Sequence, residues 1–385
     1  MTRLLAPSEV FHAFLDWHTG FEVEIPTAVG LDAAAEGLSR LHAEFPRLGG
    51  RIVRTPDGFA FHAPDSDPTV ATSAHGAHVA AALSAFEIDT ARDGETRITG
   101  RLHHALCDVT GALSVIDHLL GLIGIAPEAD SIATVAARDW PHTAEEILGG
   151  VQPDATIRTT RQFFSQAPST PLKPAQPIHL SLDRALVRAI DDACAATSTA
   201  LTGVIATALA PLIGTGDDVV VGTPVDCRVF ADPQRTQTIP TRAIGNCSHG
   251  ALVTVPRSAR TGAAFIETAQ AVDTELMDQL ESEVPAAPFR DGRLYLPEHN
   301  APAQLVVSNA RGAARRFTRL AEAGTVLVLP ESSIPALPMI AVNERPASGI
   351  IDISLIADPA DYTPTEARHI VDTLAHTLTQ FGEQQ

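Results

Sequence analysis

The stretch that decides the fold is Thr96-Arg97-Ile98-Thr99-Gly100-Arg101-Leu102, running straight into His103-His104-Ala105-Leu106-Cys107-Asp108. The first seven residues read as a strand. Beyond Asp108 an apolar segment begins near Val109, and Leu113, Ile116, Leu119 and Leu120 mark one face of a helix. A paired histidine therefore sits at a strand-to-helix junction, with an aspartate four residues after the second imidazole. General-base chemistry needs an imidazole whose direction and tautomer are fixed. Asp108 can orient His104 directly, or hold the turn that carries it.

Upstream, Phe21-Glu22-Val23-Glu24-Ile25 alternates apolar and polar, the pattern of a half-buried strand. Leu38, Leu41 and Phe45 lie at helical spacing over Leu31 to Phe45, and Pro46 ends that helix. Gly50 to Arg54 and Phe59 to His62, separated by Pro56-Asp57-Gly58, read as a hairpin. Strand, helix, hairpin and strand in this order make an α/β protein.

Downstream, Pro168, Pro171, Pro174 and Pro177 crowd one short span, which no regular element tolerates. Residues 166–177 are read as a linker between a first lobe, 1–165, and a second, 178–385. The second lobe opens with a strand, Ile178 to Leu182. A helix follows from Asp183 to about Ala196, with Leu186, Ile190 and Cys194 on one face. Another helix runs from Leu201 towards Ile213 and is interrupted at Pro211. Val219-Val220-Val221-Gly222 is a continuous apolar run suited to a fully buried strand. Three polar segments come after it: Pro224-Val225-Asp226-Cys227-Arg228, Ile244-Gly245-Asn246, and Val306-Val307-Ser308-Asn309-Ala310-Arg311-Gly312. The two halves share no sequence repeat.

Bulk properties narrow the function. Apolar residues make up 45% of the 385 residues and charged ones 19%, a composition that folds around a core. The formal charge of −19 argues against nucleic-acid or anionic-membrane binding, which needs a basic surface. Lys173 is the only lysine, which reads as composition bias. Cys107, Cys194, Cys227 and Cys247 show no zinc spacing and read as reduced thiols. The start lacks a secretory stretch, and the apolar run from Thr199 to Ile213 is shorter than the roughly 20 residues of a span. A cytoplasmic protein without stable membrane insertion is expected.

The string His103-His104-Ala105-Leu106-Cys107-Asp108 resembles the HHxxxDG motif of the chloramphenicol-acetyltransferase-like acyltransferase superfamily. The Pro224–Arg228, Ile244–Asn246 and Ser308–Gly312 segments are similar, in order, to those of its polyketide-associated and nonribosomal peptide condensation branches. The opening Leu4 to Glu9 looks closest to the polyketide-associated acyltransferases. The resemblance spans roughly residues 5–355. It implies two lobes with mixed sheets flanked by helices, and a channel at their interface. Members of the family are often monomeric, since two lobes already complete the site, but the sequence does not give the oligomeric state. The implied reaction moves an acyl group from an acyl carrier protein or coenzyme A thioester to an alcohol, in polyketide, lipid or other secondary metabolism. An acyl carrier protein or polyketide synthase would be the partner, with a small-molecule acceptor and no cofactor. A free-standing condensation enzyme forming an amide is the runner-up. A non-catalytic module that recruits a carrier protein is the alternative of a different class.

By this resemblance His104 is the general base; otherwise it is a core histidine bonded to a carbonyl. His103 is expected to turn away from His104 and serve packing. Asp108 is expected to pair with Arg228 rather than act as an acid. Ser308 and Asn309 are candidates for supporting the oxyanion, or form an ordinary turn. Cys107 occupies a variable position of the motif and is not a nucleophile. Val109 stands where the motif has glycine, and Gly111 follows two residues later. Either Gly111 takes over the role or the site is altered, because β-branched residues tolerate positive φ poorly. His104 and Asp108 also have helical i, i+4 spacing, but neither His118 nor His249 completes a metal site, so none is expected. Arg311, Arg315, Arg316 and Arg319 form either a docking patch for an acidic carrier or phosphopantetheine, or a locally neutralised face.

Overall fold

The computed structural model describes residues 2–125, 177–228, 244–281 and 303–383, apart from 7–8, 11, 14–15, 57, 92–93, 215, 227, 259–261, 318, 321–324, 332–337 and 360. The expected linker lies outside them but for its last residue. In the first half, β1 (Thr2–Leu4) precedes β2 (His18–Ile25) and helix α1 (Leu31–Glu44). The hairpin β3 (Arg51–Thr55) and β4 (Gly58–His62) follows, then β5 (Ala71–Ser73), β6 (Gly76–Ala80), β7 (Ser84–Asp89), β8 (Thr96–His103) and helix α2 (Val109–Leu122). The second half contains β9 (Ile178–Leu182), α3 (Arg184–Thr197), α4 (Leu201–Leu209), β10 (Asp218–Asp226), β11 (Ser248–Pro256) and α5 (Gly262–Glu281). It ends with β12 (Leu305–Asn309), β13 (Thr325–Glu331), β14 (Met339–Arg345), β15 (Ile350–Ile356) and α6 (Pro364–Glu383).

Two six-stranded sheets organise these elements. The first has the order β13-β2-β8-β7-β6-β5, antiparallel at every pairing; β1, β4 and β3 form a small sheet of their own. The second runs β11-β10-β12-β14-β15-β9 and is mixed, with β12 parallel to both β10 and β14. One strand crosses between the halves of the chain. β13 pairs with β2 from Thr325 opposite Glu24 to Glu331 opposite His18, so the first sheet is completed by the second half. A division at 166–177 therefore cuts the sequence more cleanly than it cuts the structure.

Each sheet buries one face under helices. Leu38, Leu41 and Phe45 of the α1 region join Leu113, Ile116, Leu119 and Leu120 of α2 in the first core, as their spacing predicts. Ile244, Phe317 and Leu320 enter that same core from the second half. The second core collects Ile190, Val204, Val219, Val221, Ile353 and Leu374. On α3 the fully buried residues are Val187, Ile190 and Ala193, while Leu186 and Cys194 only border the core. The apolar stripe is thus broader than the predicted one and centred differently.

β10 extends beyond the apolar run to Asp226 and so includes Pro224 and Val225, which the sequence reading placed after the strand. β12 pairs with β10 at Val221 and Gly222, so Pro224 lies beyond that pairing. A proline is tolerated in a strand where a ladder bond is not required.

Candidate active site

β8 lies between β2 and β7, so its end is held from both sides. His103 N donates to Leu83 O at 2.8 Å, and His104 N donates to Trp17 O at 2.6 Å. Leu106 N then bonds back to His103 O at 2.8 Å, closing a tight turn into α2. Asp108 is the N-cap of that helix, and its Oδ1 accepts from Gly111 N at 2.8 Å. Among described residues only Asp16 and Ser198 are non-glycine positions with positive φ, so Val109 begins the helix without strain. The glycine the site requires is Gly111. A Cβ there would lie 2.8 Å from Cys107 Cβ and 3.1 Å from Gly245 O. The requirement is close approach of a second-half backbone, not a left-handed residue.

Asp108 is thoroughly bonded. Arg228 donates to it at 2.8 Å from Nη1 and 3.1 Å from Nη2, and Cys247 N donates at 2.8 Å. Asp108 N reaches Gly245 O at 3.1 Å, and Arg228 Nη2 reaches the same oxygen at 3.0 Å. The structure thus brings Asp108, Arg228 and the Ile244–Asn246 segment together, and the carboxylate's lone pairs are used in holding the turn. Both charges are buried. Burial works against the Arg228 cation, but Asp108, then Cys247 and Asp226, outweigh it and raise its pKa. Asp226 extends the network. It accepts from Arg228 Nη1 at 2.9 Å, from Thr110 Oγ1 at 3.1 Å and from Arg316 at 3.3 Å.

His104 is bonded quite differently. The residue is half-buried, and its Nδ1 is buried with no hydrogen-bond partner from another described residue. Burial lowers its pKa, opposed by the Asp108 charge and the residue's own carbonyl. The imidazole is therefore neutral near pH 7, the form a base needs. His103 turns elsewhere. It is buried, its Nδ1 accepts from Ala105 N at 3.0 Å, and its ring meets His18 edge-on at 4.8 Å. Burial, then His18 and His104, bring its pKa down to about 3. Cys107 is fully buried, and burial pushes its thiol up, which removes the thiolate a nucleophile requires.

The remaining candidates have structural partners. Asn309 donates to Thr202 Oγ1 at 3.1 Å, and its Oδ1 accepts from Arg311 N at 3.0 Å, the pattern of a turn. Ser308 precedes it on β12, and among described residues no hydrogen bond or ion pair links either to His104. The arginine cluster is neutralised residue by residue. Arg311 pairs with Asp191, Arg315 with Glu344, Arg316 with Asp226 and Arg319 with Asp117. Of the two readings of this cluster, the structure supports the neutralised face. No group of three metal-ligating side chains occurs among the described residues. Nor is any single helix among them long and apolar enough to cross a membrane.

Sequence reasoning missed His12 and Trp17, whose rings pack against His104. They lie about ninety residues away along the chain, and no spacing rule links them to the turn. It also missed Asn246 as an individual residue. That side chain is fully buried, and among described residues its Nδ2 lacks a partner.

This mixed α/β architecture has the two-lobed fold of condensation domains and chloramphenicol-acetyltransferase-like proteins. The chain is similar over 99% of its length to polyketide synthase associated protein 5 from Mycobacterium tuberculosis, covering 98% of that chain at 16% identity and a TM-score of 0.71. The trichothecene 15-O-acetyltransferase of Fusarium sporotrichioides matches with a TM-score of 0.71 at 12% identity, with 99% of this chain and 95% of that one covered. The first condensation domain of the CDA synthetase gives 0.68 at 15% identity, over 99% and 96%. No protein-family model matches the sequence, and no curated protein does.

Proposed function

We propose that the chain is an acyltransferase that moves an acyl group from a thioester, carried by an acyl carrier protein or coenzyme A, to an alcohol. The observation that carries this reading is the division of labour at the turn: Asp108 is fully engaged with Arg228, Gly111 and Cys247, while His104 is neutral and lightly bonded. Because Nδ1 is buried, Nε2 is assigned as the base. His104 removes the acceptor proton as the oxygen attacks the thioester carbonyl. Proximity and one base suffice, with no covalent enzyme intermediate, and no metal enters the steps so written. The names of the similar structures support an acyl-transfer or condensation reaction, and a carrier-bound donor fits a polyketide-associated neighbour.

Intact-mass detection of transfer tests this directly, using acyl-coenzyme A and acyl-carrier thioesters with mixed alcohols and amines. Thiol release that needs both an alcohol and His104 is expected. His104→Ala should lower the rate by about 10²–10⁴, the usual worth of a positioned base. Transfer to amines alone would make the chain a condensation enzyme. Carrier binding with no His104-dependent turnover would make it a recruiting module.

A further inference from the structure

Three rings meet at the end of β8. His12 lies face to face with His104, with centroids 4.0 Å apart and planes at 13°. Trp17 leans on both, 5.5 Å from His12 and 5.4 Å from His104. Backbone bonds fix the trio. Trp17 N donates to His12 O at 3.1 Å, and Trp17 O accepts from His104 N at 2.6 Å. Just before Trp17, Asp16 holds φ at 47°, a left-handed conformation uncommon for a residue with a Cβ. That corner aims the indole at the turn.

Among the described residues the flat stacking is particular to this site. His18 meets His103 at 68°, His42 meets Phe86 at 86° and Phe45 meets His118 at 89°, all edge-on. Edge contacts are ordinary core packing, whereas a ring face offers negative density to a cation.

We propose that His12 and Trp17 are positioning residues: an aromatic clamp that fixes the plane of His104 and supports the imidazolium formed during transfer. This rests on the acyl-transfer reading above. In that step the acceptor O–H bond breaks and its proton moves to His104. The oxygen bonds to the thioester carbon, the C–S bond breaks, and the departing thiolate takes the proton from the imidazolium. His104 is a cation only in between, with two ring systems against it. The titratable groups around it are His12, His18, His103 and Asp108; only Asp108 favours the charge. His12 itself stays neutral, because burial, then His104 and His103, hold its pKa well below the usual histidine range.

The test compares His12→Leu, His12→Phe and Trp17→Leu with wild type. In His12→Leu kcat should fall about tenfold, the scale of a desolvated cation–π contact, with both KM values within about twofold. The acid limb of its kcat–pH profile should move to lower pH, since an unsupported imidazolium has a lower pKa. His12→Phe restores a flat ring and should recover kcat to within about threefold of wild type. Trp17→Leu should shift the limb in the same direction. Equal kcat in the Leu and Phe variants, or an unmoved acid limb in both Leu variants, overturns the clamp. Ring ¹⁵N NMR, with His104 assigned through His104→Gln, reads the same pKa without turnover. If wild type shows no His104-dependent transfer, the acyl-transfer reading fails, and the NMR titration still decides the clamp. A lower His104 pKa in His12→Leu supports it, and an unchanged one overturns it.

Discussion

The two ends of the turn between β8 and α2 are built to opposite specifications. At one end Asp108 accepts from Arg228, Gly111 N and Cys247 N, and every donor is buried. At the other, four residues earlier, His104 is held by one backbone bond to Trp17 and by ring contacts. The carboxylate is anchored where strong bonds cost no reactivity. The imidazole is left with a nitrogen to use. Under the proposed acyl-transfer reading, this difference leaves the imidazole able to exchange a proton while its ring neighbours hold it in place.

The sharpest way to break this contrast is to exchange the two ends. Asp108→Ala takes from the buried Arg228 its two-bonded carboxylate partner, leaving it the less buried Asp226, and should destabilise the fold by about 3 kcal/mol, the low end for breaking a buried pair. His104→Ala should leave the melting temperature nearly unchanged while lowering transfer by about 10²–10⁴. Chemical denaturation of both variants checks this, and equal loss of stability in the two would remove the distinction. Gly111→Ala comes next. Its methyl would press on the Gly245 backbone, which cannot yield as a side chain does, so a loss of about 1–3 kcal/mol is expected in the same assay.

Acid should act through the histidines that lack His104's freedom. His103 and His42 are buried, and burial is the first cause of their folded-state pKa values of about 3 and about 4. The unfolded chain takes up these protons below about pH 6.5, whereas the folded protein does not. Stability is therefore independent of these two groups above about pH 6.5. It falls by about 1.4 kcal/mol per pH unit for each as pH drops from there towards its folded pKa. Melting curves from pH 7 to pH 5 should show this, and His42→Leu should flatten the slope. The same variant should melt higher at neutral pH, because neither His42 nitrogen has a hydrogen-bond partner among the described residues. The smallest effect belongs to the arginine cluster. Arg316→Gln breaks a half-exposed pair with Asp226 and should cost about 0–1 kcal/mol by denaturation.

Local pattern carried much of the fold. Alternation marked β2, and helical spacing with Pro46 marked α1. Those signals are legible because neighbouring residues share one element and one buried face. The pairing of β13 with β2 was not legible, since its partners lie about three hundred residues apart and nothing local sets the register. The same limit governs the site. His104, Asp108 and Arg228 stood out because their motifs are contiguous strings. His12 and Trp17 did not, because only the third dimension stacks them on His104.

The sequence by itself determined the α/β character, the histidine turn and the residue types available for chemistry, all of which follow from local periodicity and short motifs. The tertiary structure decided which charges neutralise one another and which glycine the site cannot replace. It also decided which rings pack against His104. Those answers depend on distances between segments remote in sequence, and only packing sets such distances.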